Sequence, residues 1–353
     1  MGTGGGVQLG GLTLSFALVL AMYLRGGAGL TPKSMFSRSS AIQKGGVNNS
    51  KAMAALRRVV PPMVKEMHKG QQGRVGVLGG SPDYTGAPYF SGISALRAGS
   101  DLVYVLTASE AAAAIKSYSP ELMVTPVYST GQPGMLEAVS AVMPKLHALV
   151  VGPGLGRDSE VFKSVRDVIL MARERELPLV LDADALMLCA LYPDTIKGYK
   201  LATLTPNIME FARLWSAVGF GDWEAGADAT EDEVERLAAR LGNVTVVLKG
   251  GTDVISDGKH TLTCDIIGGL KRCGGLGDVL SGVLGTVSAW VRAEEEELEG
   301  IPIRLWGLWW GCAFVRLSTS AAYNGKGRSM GAPDAIAELG SVIEQLVPAN
   351  EWC

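Results

Sequence analysis

The sequence predicts an α/β fold in which parallel β-strands alternate with helices. From Arg74 onward, short apolar runs are separated by amphipathic segments of about 10 to 15 residues, which is the pattern of repeated βαβ units. The chain contains 46 glycines, and most of them fall where an apolar run stops, a place where the lack of a side chain lets a ligand approach the backbone. With 47% apolar residues the chain can also bury a large core. These observations favour a ligand-binding α/β protein.

The elements expected before residue 200 follow this rhythm. The strand "RVGVLGG" is followed by a helix around residues 89–98, the strand "LVYVLT", a helix that opens at Ser109, and the strand "ALVVGPG". The segment "SEVFKSVRDVILMARERE" is a longer helix with Ser159 as its expected cap. Its apolar residues recur on one helical face: Val161, Phe162, Val165, Val168 and Ile169. The buried strand "LPLVLDADAL" comes next.

The second half of the body supplies further strands and a hydrophobic helical run. The strands are "LATLTPN", "NVTVVLKGGTDVIS" and "HTLTC", and "SDGK" between the last two is typical of a hairpin turn. Trp309 and Trp310 lie in the hydrophobic run and are expected in the core. Since no repeat or linker is visible within residues 66–353, residues 61–353 are expected to form one domain.

Residues 1–60 have a different composition and are expected to lie outside that domain. The first 65 residues carry eight Lys/Arg and no acidic residue. A basic, serine-rich, acid-free leader is typical of a presequence that directs a protein to a mitochondrion or plastid. The alternatives are a dispensable extension on a cytoplasmic protein and a secretory signal. The apolar stretch at residues 12–24 is short for a membrane span and follows no basic segment, so stable membrane insertion is not expected.

Charge and cysteine content argue against several classes of partner. Beyond residue 65 the chain holds 24 basic and 35 acidic residues, and such an acidic body argues against nucleic acid as the main partner. The five cysteines form no CxxC pair and only three histidines are present, so neither a zinc site nor a disulfide framework is indicated. The simplest interpretation is a reducing compartment, in which the cysteines are small buried apolar residues.

Glycine and polar residues stand at five strand ends. Because open parallel sheets bind ligands beyond the carboxyl ends of their strands, these segments are candidates for the rim of one cleft, although each of them alone could be an ordinary turn. The segments are "VLGGSPDYTGAP" (77–88), "VGPGLGRD" (151–158), "LDADAL" (181–186), "LTPNIMEFAR" (204–213) and "LKGGTD" (248–253).

The segment "RCGGLGDVLSG" at residues 272–282 carries the strongest signal. After "GGLG", apolar residues recur at helical period, so the glycines precede a helix N-terminus: Val279, Leu280, Val283, Leu284, Val287 and Val291. Unpaired N–H groups at such a terminus bind anions, and glycine lets a phosphate reach them. Asp278 in the first turn has two interpretations. It could be an N-cap that stabilises the helix by about 1 kcal/mol, or a general base that accepts a hydroxyl proton as the hydroxyl attacks phosphorus.

Other charged residues near the cleft are ambiguous. Lys249 could be a solvated strand end or could steer a nucleotide phosphate, whereas Lys271 and Arg272 directly precede the glycines. Asp182 and Asp184 would share a face if the chain were extended, and they could hold Mg²⁺ through water or cap the next turn. The segment "GPGLGRD" lacks the third glycine of the dinucleotide fingerprint, so that match is weak.

Six segments, in this order, resemble the ATP- or ADP-dependent NAD(P)H-hydrate dehydratases of the ribokinase-like superfamily: "GSPDYTGAPYFSG", "VGPGLGRD", "LDADAL", "LTPNIMEFARL", "VLKGGTDVIS" and "RCGGLGDVLSG". The resemblance runs from about residue 63 to the C-terminus. It implies a ribokinase-like, three-layer α/β/α fold with a central, mostly parallel sheet flanked by helices. It also implies an enzyme that phosphorylates the hydroxyl of S-NADHX or S-NADPHX and then eliminates phosphate. The nearest alternative is a small-molecule kinase of the same superfamily, of the hydroxymethylpyrimidine or thiazole type.

The resemblance further implies a set of site residues. Asp278 would be the base or a carboxylate that contacts the substrate. The hydrate would be bound by Asp278 together with Tyr84, Gly154, Asn207, Ile208, Met209, Glu210, Phe211, Ala212 and Arg213. The nucleotide would be bound by Lys249, Gly250, Gly251, Thr252, Asp253, Gly268, Gly269, Leu270, Lys271, Arg272, Cys273, Gly274, Gly275, Leu276 and Gly277. Leu276 stands where relatives often carry a polar residue, so only its backbone is expected to bind phosphate.

The ligands implied by the resemblance are small molecules. ATP would be the phosphate donor, because "KRC" before the glycines resembles the ATP-using branch of the family more than the ADP-using one. Mg²⁺ would bridge the nucleotide oxygens, and no protein metal site is assigned. A homo-oligomer is left open.

Overall fold

The computed structural model describes residues 49–129, 134–291 and 296–348. A nine-stranded sheet runs through their centre. Its strands are β1 (Arg74–Leu78), β2 (Leu102–Ala108), β3 (Met123–Tyr128), β4 (Ala148–Val151), β5 (Leu179–Leu181), β6 (Ala202–Leu204), β7 (Thr245–Leu248), β8 (Asp253–Ser256) and β9 (Thr261–Cys264). Two short strands, β10 (Glu297–Leu298) and β11 (Ile301–Pro302), pair with each other outside this sheet.

Helices flank the sheet, as the α/β prediction requires. The helices of the described residues are α1 (Asn49–Val59), α2 (Gly86–Arg97), α3 (Ser109–Tyr118), α4 (Met135–Val142), α5 (Ser159–Glu174), α6 (Asp184–Leu191), α7 (Ile208–Ala217), α8 (Glu231–Arg240), α9 (Leu276–Trp290), α10 (Ile303–Lys326) and α11 (Ala332–Leu346). Helices α2, α9, α10 and α11 contact one another in one layer, and α1 packs against α10. The predicted alternation of strands and helices is confirmed.

Helix α5 has the predicted apolar face but a different cap. The five apolar residues predicted on that face are all buried. The N-cap is Asp158, whose Oδ1 accepts hydrogen bonds from the N–H groups of Glu160 and Val161 at 2.9 and 3.0 Å. The expected cap, Ser159, is the first helical residue instead, because the carboxylate one position earlier reaches two unpaired N–H groups.

The strand order creates a crevice at one edge of the sheet. The order is β3-β2-β1-β4-β5-β6-β7-β8-β9, in which β3 to β7 are parallel and β8 and β9 form the predicted antiparallel hairpin. The chain runs outward from β1 to β3 and then returns to place β4 beside β1. In open α/β sheets, ligands bind where the strand order reverses in this way. The site is therefore expected beyond the carboxyl ends of β1 and β4.

The strand register places four of the polar strand ends side by side. Leu78 pairs with Val151, Val151 pairs with Leu181, and Leu181 pairs with Leu204. These residues are the last of β1, β4, β5 and β6, so the loops that follow leave the sheet at the same level.

Close packing of α2 on α9 brings two further segments to this edge. A Cβ on Gly282 would lie 2.0 Å from the carbonyl oxygen of Ser91, so the helices can approach this closely only with glycine in α9. Ser281 Oγ donates to Ser91 Oγ at 3.1 Å across the same contact. The N-termini of both helices consequently lie next to each other above the strand ends.

The folded body begins earlier than the boundary predicted at residue 60. In α1, Ala52, Ala55 and Leu56 are fully buried, and Trp310 Nε1 donates to the carbonyl oxygen of Ala52 at 2.8 Å. The predicted extension of residues 1–60 thus overlaps the core by this helix, because one face of α1 covers the tryptophans of α10. The remainder of that extension, residues 1–48, lies outside the described residues.

The core contains the residues expected there. Trp309 and Trp310 are buried, as predicted, and so are Cys189, Cys264 and Cys312. Cys273 is half-buried and free, whereas Cys353 and the apolar stretch at residues 12–24 lie outside the described ranges. None of the helices within those ranges is long and apolar enough to cross a membrane.

Candidate active site

The loops after β1, β4 and β5 touch one another through their backbones. A Cβ on Gly79 would lie 2.2 Å from the carbonyl oxygen of Pro153, and a Cβ on Gly152 would lie 1.9 Å from that of Asp182. No side chain fits at these distances, so the loops can meet only where glycine stands. Three of the predicted polar strand ends therefore form one continuous rim.

The segment "GGLG" forms the predicted cradle at the start of α9. Gly275 is the N-cap residue and has a φ of 91°, a left-handed conformation that favours glycine. A Cβ there would also lie 2.8 Å from the ring of Phe90. Leu276 and Gly277 begin the helix, so their N–H groups belong to the first turn, which has no partners within the helix. This is the local geometry that the sequence predicts for the cradle, with first-turn N–H groups that lack partners within the helix.

Asp278 is the third residue of α9 rather than its N-cap. Its carboxyl group is half-buried, and burial raises its pKa to about 7. The value of about 7 already includes the negative charges of Asp182 and Asp184, which also raise the pKa, and the ammonium of Lys249, which lowers it. A carboxyl with such a pKa can accept a proton near neutral pH, as a general base must. Of the two interpretations of Asp278, its position in the helix disfavours that of a simple cap.

Lys249 lies beside the cradle in a network of carboxylates. Its Nζ is 2.7 Å from Asp182 Oδ1 and 3.9 Å from Glu210 Oε2, and a Cβ on Gly277 would lie 3.6 Å from it. Thr205 Oγ1 donates to Asp182 Oδ1 at 2.8 Å. Burial lowers the pKa of Lys249, but the two carboxylates raise it by more, so the net pKa lies above its ordinary value. The ammonium is therefore charged at neutral pH and is not a solvated strand end.

One cavity lies on the Gly277 side of this network. It brings together most of the residues predicted to bind nucleotide. They are Lys249, Gly250, Gly251, Asp253, Gly268, Arg272, Cys273, Leu276 and Gly277. Leu280, Cys312, Val315, Arg316 and Thr319 complete the lining and were not predicted.

The other predicted nucleotide residues surround this cavity without all of them facing it. Thr252 lines a neighbouring cavity that it shares with Lys249 and Ile208. Gly269 is buried, and its N–H donates to Thr319 Oγ1 at 3.1 Å. Among the rest, Leu270 is 76% exposed, Gly274 is exposed and Lys271 is half-buried.

A second cavity lies on the Asp278 side of the network. Tyr84, Gly154 and Asp278, all predicted to contact the hydrate, line it together. Gly154 packs directly on Tyr84, since a Cβ on Gly154 would lie 2.9 Å from the carbonyl oxygen of Tyr84. The remaining lining residues were not predicted individually to bind the hydrate, although all except Ala108, Tyr128 and Val161 belong to segments predicted at the cleft rim: Ser81, Pro82, Asp83, Ala87, Ala108, Tyr128, Leu155, Gly156, Arg157, Asp158, Val161, Ala183 and Asp184.

Consecutive residues of α9 thus face the two cavities. Gly277 lines the cavity of the predicted nucleotide residues, and Asp278 lines that of the predicted hydrate residues. A phosphate held at the cradle would therefore lie next to both the carboxylate of Asp278 and the ammonium of Lys249. Such an arrangement can transfer a phosphoryl group from a nucleotide to a hydroxyl that Asp278 deprotonates.

The segment at residues 207–213 is not in the cavity of Tyr84. Asn207 and Glu210 form a capping box at the start of α7, in which Glu210 Oε2 accepts from Asn207 N–H at 2.8 Å. Glu210 also lies beside Lys249, so this helix start borders the Lys249 network. The other predicted residues differ in exposure: Ile208 and Ala212 are half-buried, Met209 and Arg213 are exposed, and Phe211 is fully buried. The ring of Phe211 packs against Trp215 and Trp223 and so turns away from the cleft.

Asp182 and Asp184 point in different directions and cap no helix. Ala183 between them has a φ of 50°, which breaks the extended arrangement in which they would share a face. Asp182 turns to Lys249 and Thr205, as described above. Asp184 Oδ2 accepts from the N–H of Gly156 at 3.0 Å, and its Oδ1 is 3.4 Å from Arg157 Nε. The two carboxylates therefore bind residues on opposite sides of the cleft.

Arg316 on α10 holds both loops of the nucleotide cavity and was missed in the sequence. Its Nε donates to Asp253 Oδ2 at 2.6 Å, and its remaining nitrogens donate to three carbonyl oxygens, those of Gly250, Gly251 and Ile266, at 2.8 to 3.1 Å. Thr319, one turn later, binds the N–H of Gly269. A single arginine inside the apolar run "WWGCAFVRLSTS" was the available signal, because buried arginine is rare unless it is paired.

Comparison with known proteins agrees with this geometry. A family model described as NAD(P)H-hydrate dehydratase matches residues 75–299. The rat (Rattus norvegicus) protein named ATP-dependent (S)-NAD(P)H-hydrate dehydratase is 45% identical over 292 residues, covering 82% of this chain and 84% of the rat protein. The Neurospora crassa protein of the same name is 42% identical over 341 residues, covering 86% of this chain and 96% of its own. This chain belongs to the NAD(P)H-hydrate dehydratase family.

Solved structures show the fold of this NAD(P)H-hydrate dehydratase family member. A ribokinase-like superfamily protein from Enterococcus faecalis V583 superimposes with a TM-score of 0.65 at 21% identity, covering 83% of this chain and 94% of its own. An ADP/ATP-dependent NAD(P)H-hydrate dehydratase from Bacillus subtilis, co-crystallised with ATP/Mg²⁺, superimposes with a TM-score of 0.59 at 22% identity, covering 83% and 97%. The ribokinase-like fold implied by the six sequence segments is confirmed.

Proposed function

We propose that this protein is an ATP-dependent (S)-NAD(P)H-hydrate dehydratase that restores NADH and NADPH from S-NADHX and S-NADPHX. The observation that carries the proposal is the position of Gly277 and Asp278, adjacent residues that face two cavities. Phosphoryl transfer needs donor and acceptor sites that adjoin each other in this way. The names of the rat and N. crassa relatives support the choice of ATP and of the hydrate.

The first step transfers phosphate to the hydrate. Asp278 accepts the proton of the hydroxyl on the damaged ring, and the hydroxyl oxygen attacks the γ-phosphorus of ATP while the bond to the leaving ADP breaks. The N–H groups of the cradle and the ammonium of Lys249 stabilise the negative charge on the transferred group. Because the two cavities adjoin at Gly277 and Asp278, the protein mainly positions ATP and the hydrate and stabilises the charge that develops on the phosphate.

The second step removes phosphate from the ring. The lone pair of the ring nitrogen, next to the phosphorylated carbon, expels inorganic phosphate, and loss of a proton from the neighbouring carbon restores the double bond of NADH. ATP and the hydrate are thereby converted into ADP, phosphate, NADH and a proton released to solvent. The expulsion needs little help beyond charge stabilisation of the departing phosphate by the same cradle.

Magnesium fits the site only together with a nucleotide. Across the described ranges, no group of three or more His, Cys, Asp or Glu side chains could hold a metal. Mg²⁺, however, usually keeps several waters and uses one or two carboxylates in addition to substrate phosphates. Asp182 and Glu210, both beside Lys249, are the carboxylates that fit this role. When bound, the ion would neutralise charge on the phosphates.

A direct assay tests the proposed activity. The protein, incubated with Mg²⁺ and ATP, should convert NADHX and NADPHX into products that absorb in the reduced-nicotinamide band, with one ADP formed per NADH. ADP in place of ATP should support little turnover. Phosphorylation of a hydroxymethylpyrimidine or thiazole alcohol without recovery of NADH would show instead that the protein is a small-molecule kinase.

The pKa of Asp278 predicts the pH dependence of the reaction. A general base must be ionised, and burial places this pKa at about 7. The kcat/KM for NADHX should therefore be constant above pH 7 and fall about tenfold per pH unit below it. The measurement is kcat/KM at saturating ATP between pH 5.5 and 8.5, with circular dichroism at each pH as the control for folding. A flat profile across this range would contradict the assignment of Asp278 as the base.

We also propose that the residues before α1 are a targeting leader for a mitochondrion or plastid. Their basic, acid-free composition supports this proposal. The leader is expected to end before α1, because α1 begins at Asn49 and belongs to the folded body. A fluorescent fusion of the full chain should enter an organelle, whereas a fusion that begins at Asn49 should stay diffuse and remain active. Identical distributions of the two fusions would refute the proposal.

A further inference from the structure

Ser81 carries a buried hydroxyl for which the protein supplies no partner. It is the third residue after β1, at the crevice where the strand order reverses, and it is only 9% exposed. Within the part of the chain that the structure describes, its Oγ makes no hydrogen bond. Buried polar groups are nearly always hydrogen-bonded, and one left unpaired is a feature that needs a reason.

Hydrogen bonds hold the backbone around Ser81 in a fixed conformation. The N–H of Ser81 donates to the carbonyl oxygen of Tyr84 at 3.3 Å, and the N–H of Tyr84 donates back to that of Ser81 at 3.1 Å, which closes a tight turn. The N–H of Gly80 donates to Pro153 at 2.9 Å and ties this turn to the loop after β4. The backbone groups of Ser81 are thus satisfied, and only its side chain keeps hydrogen-bonding capacity.

Ser81 lines the cavity that also contains Tyr84, Gly154 and Asp278. Its neighbour on the opposite loop is Gly156, where a Cβ would lie 3.7 Å from Ser81 Oγ. The other buried hydroxyls without a partner in the described residues do not line this cavity: Ser94, Thr107, Thr195 and Ser288. Ser81 therefore differs from them in being both unpaired and part of the cavity lining.

We propose that Ser81 is a substrate-binding residue that hydrogen-bonds the carboxamide of the hydrated dihydronicotinamide ring. This inference rests on the proposed function, since it takes the hydrate as the occupant of the cavity. The ring has two neutral polar groups, its added hydroxyl and its carboxamide. The hydroxyl must face Asp278 for deprotonation, so the carboxamide is the group left for Ser81. A serine hydroxyl both donates and accepts, which matches the NH₂ and C=O of a carboxamide.

Three other polar side chains of the cavity are already bonded within the protein or lie at its rim. Asp184 is already engaged with the N–H of Gly156 and with Arg157. The hydroxyl of Tyr128 donates to the carbonyl oxygen of Gly80. Arg157 has a side chain that is 71% exposed, so it lies at the rim and suits an anionic phosphate rather than the neutral ring. Of these polar groups, Ser81 is the buried neutral one that has no partner within the protein.

The variant Ser81→Ala should change binding and stability in opposite directions. Loss of the hydrogen bond should raise the KM for NADHX about tenfold, with kcat and the KM for ATP nearly unchanged. The thermal midpoint of the ligand-free protein should rise by about 2 °C, because a buried hydroxyl without a partner is removed. A residue that only supports the fold would lower the midpoint instead, so the two readouts separate the roles.

Ser288→Ala is the matched control. Ser288 is 2% exposed, has no partner for its hydroxyl in the described residues and lies near the C-terminal end of α9, far from Asp278. Its replacement should also raise the thermal midpoint but should leave both KM values unchanged. The proposal is overturned if the wild type turns over NADHX and Ser81→Ala has the same KM for it, or if that variant is less stable than the wild type. Absence of turnover in the wild type would overturn the proposed function itself, and the role of Ser81 with it.

Discussion

Replacing Asp278 with alanine is expected to lower kcat by roughly 10²- to 10⁴-fold, the usual contribution of a general base, while ATP binds almost as well as before. The reason is the division between the two cavities. Asp278 lines one cavity, whereas Lys249 and the cradle residue Gly277 line the other, which stays intact in this variant. The measurement is single-turnover conversion of NADHX, with the Kd for ATP determined by calorimetry on the same protein.

A control separates loss of the base from loss of an acidic residue at a helix start. Glu233 is the third residue of α8, as Asp278 is of α9, and its carboxylate accepts from the N–H of Thr230 at 2.8 Å. Glu233→Ala should weaken that helix start without changing kcat. If Asp278→Ala keeps wild-type kcat, Asp278 has only a structural role and another residue must be the base.

The same carboxyl should make the folded state less stable at high pH. Its pKa is about 7 in the folded protein and near 3.8 when exposed, so the folded state binds a proton more tightly than the unfolded state does. Stability contributed by the protonated carboxyl is therefore present at low pH and is lost as the pH rises toward 7. The variant Asp278→Asn should accordingly unfold at a higher temperature than the wild type at pH 8, and the difference should shrink at pH 5. A base held in a dry cleft opposes stability, which is a common property of active sites.

Local patterns account for what the sequence could reveal. Alternating apolar segments predicted the parallel sheet, and the glycines followed by a helical period predicted the cradle at Gly275, because both signals depend on residues close together in the chain. The role of Lys249 could not be resolved in this way. Its partner Asp182 lies 67 positions earlier, so their 2.7 Å contact depends on the register of β5 to β7. The helix α1 was missed for a related reason, since its apolar face packs against α10, which contains Trp310 and lies about 250 positions later in the chain.

Residues that hold other residues in place were the hardest to predict. Ala183 has an ordinary side chain but a left-handed φ, and this conformation sends the carboxylates of Asp182 and Asp184 to opposite sides of the cleft. Glycine is the residue expected at such a φ, so the alanine at position 183 gives no sign in the sequence of this backbone conformation. Ser81 could not be singled out from the sequence either, because only the structure shows that its buried hydroxyl has no hydrogen-bond partner among the described residues.

Replacing Arg316, which lines the cavity and holds its two loops, is expected to weaken ATP binding. Its guanidinium binds Asp253 and the carbonyl oxygens of both nucleotide loops, and lysine cannot reproduce that planar set of donors. Arg316→Lys should therefore raise the KM for ATP about tenfold or more, with little effect on the KM for NADHX. Arg316→Met should lower the free energy of unfolding by about 3 to 5 kcal/mol, because the buried carboxylate of Asp253 would lose its positively charged partner. Substrate kinetics and urea unfolding measure these two effects.

Arg304→Lys is the control on the same helix. Arg304 donates to the carbonyl oxygen of Lys200 and to Thr203 Oγ1 at 3.0 Å, and it lies about 18 Å from Arg316 along α10 at 1.5 Å per residue. It should lower stability without changing the KM for ATP. The double variant Asp253→Asn, Arg316→Met leaves no buried charge alone, so it should regain part of the stability lost in Arg316→Met but not the affinity for ATP. An unchanged KM for ATP in Arg316→Lys would mean that the two loops hold their positions without the guanidinium and that Arg316 only stabilises the core.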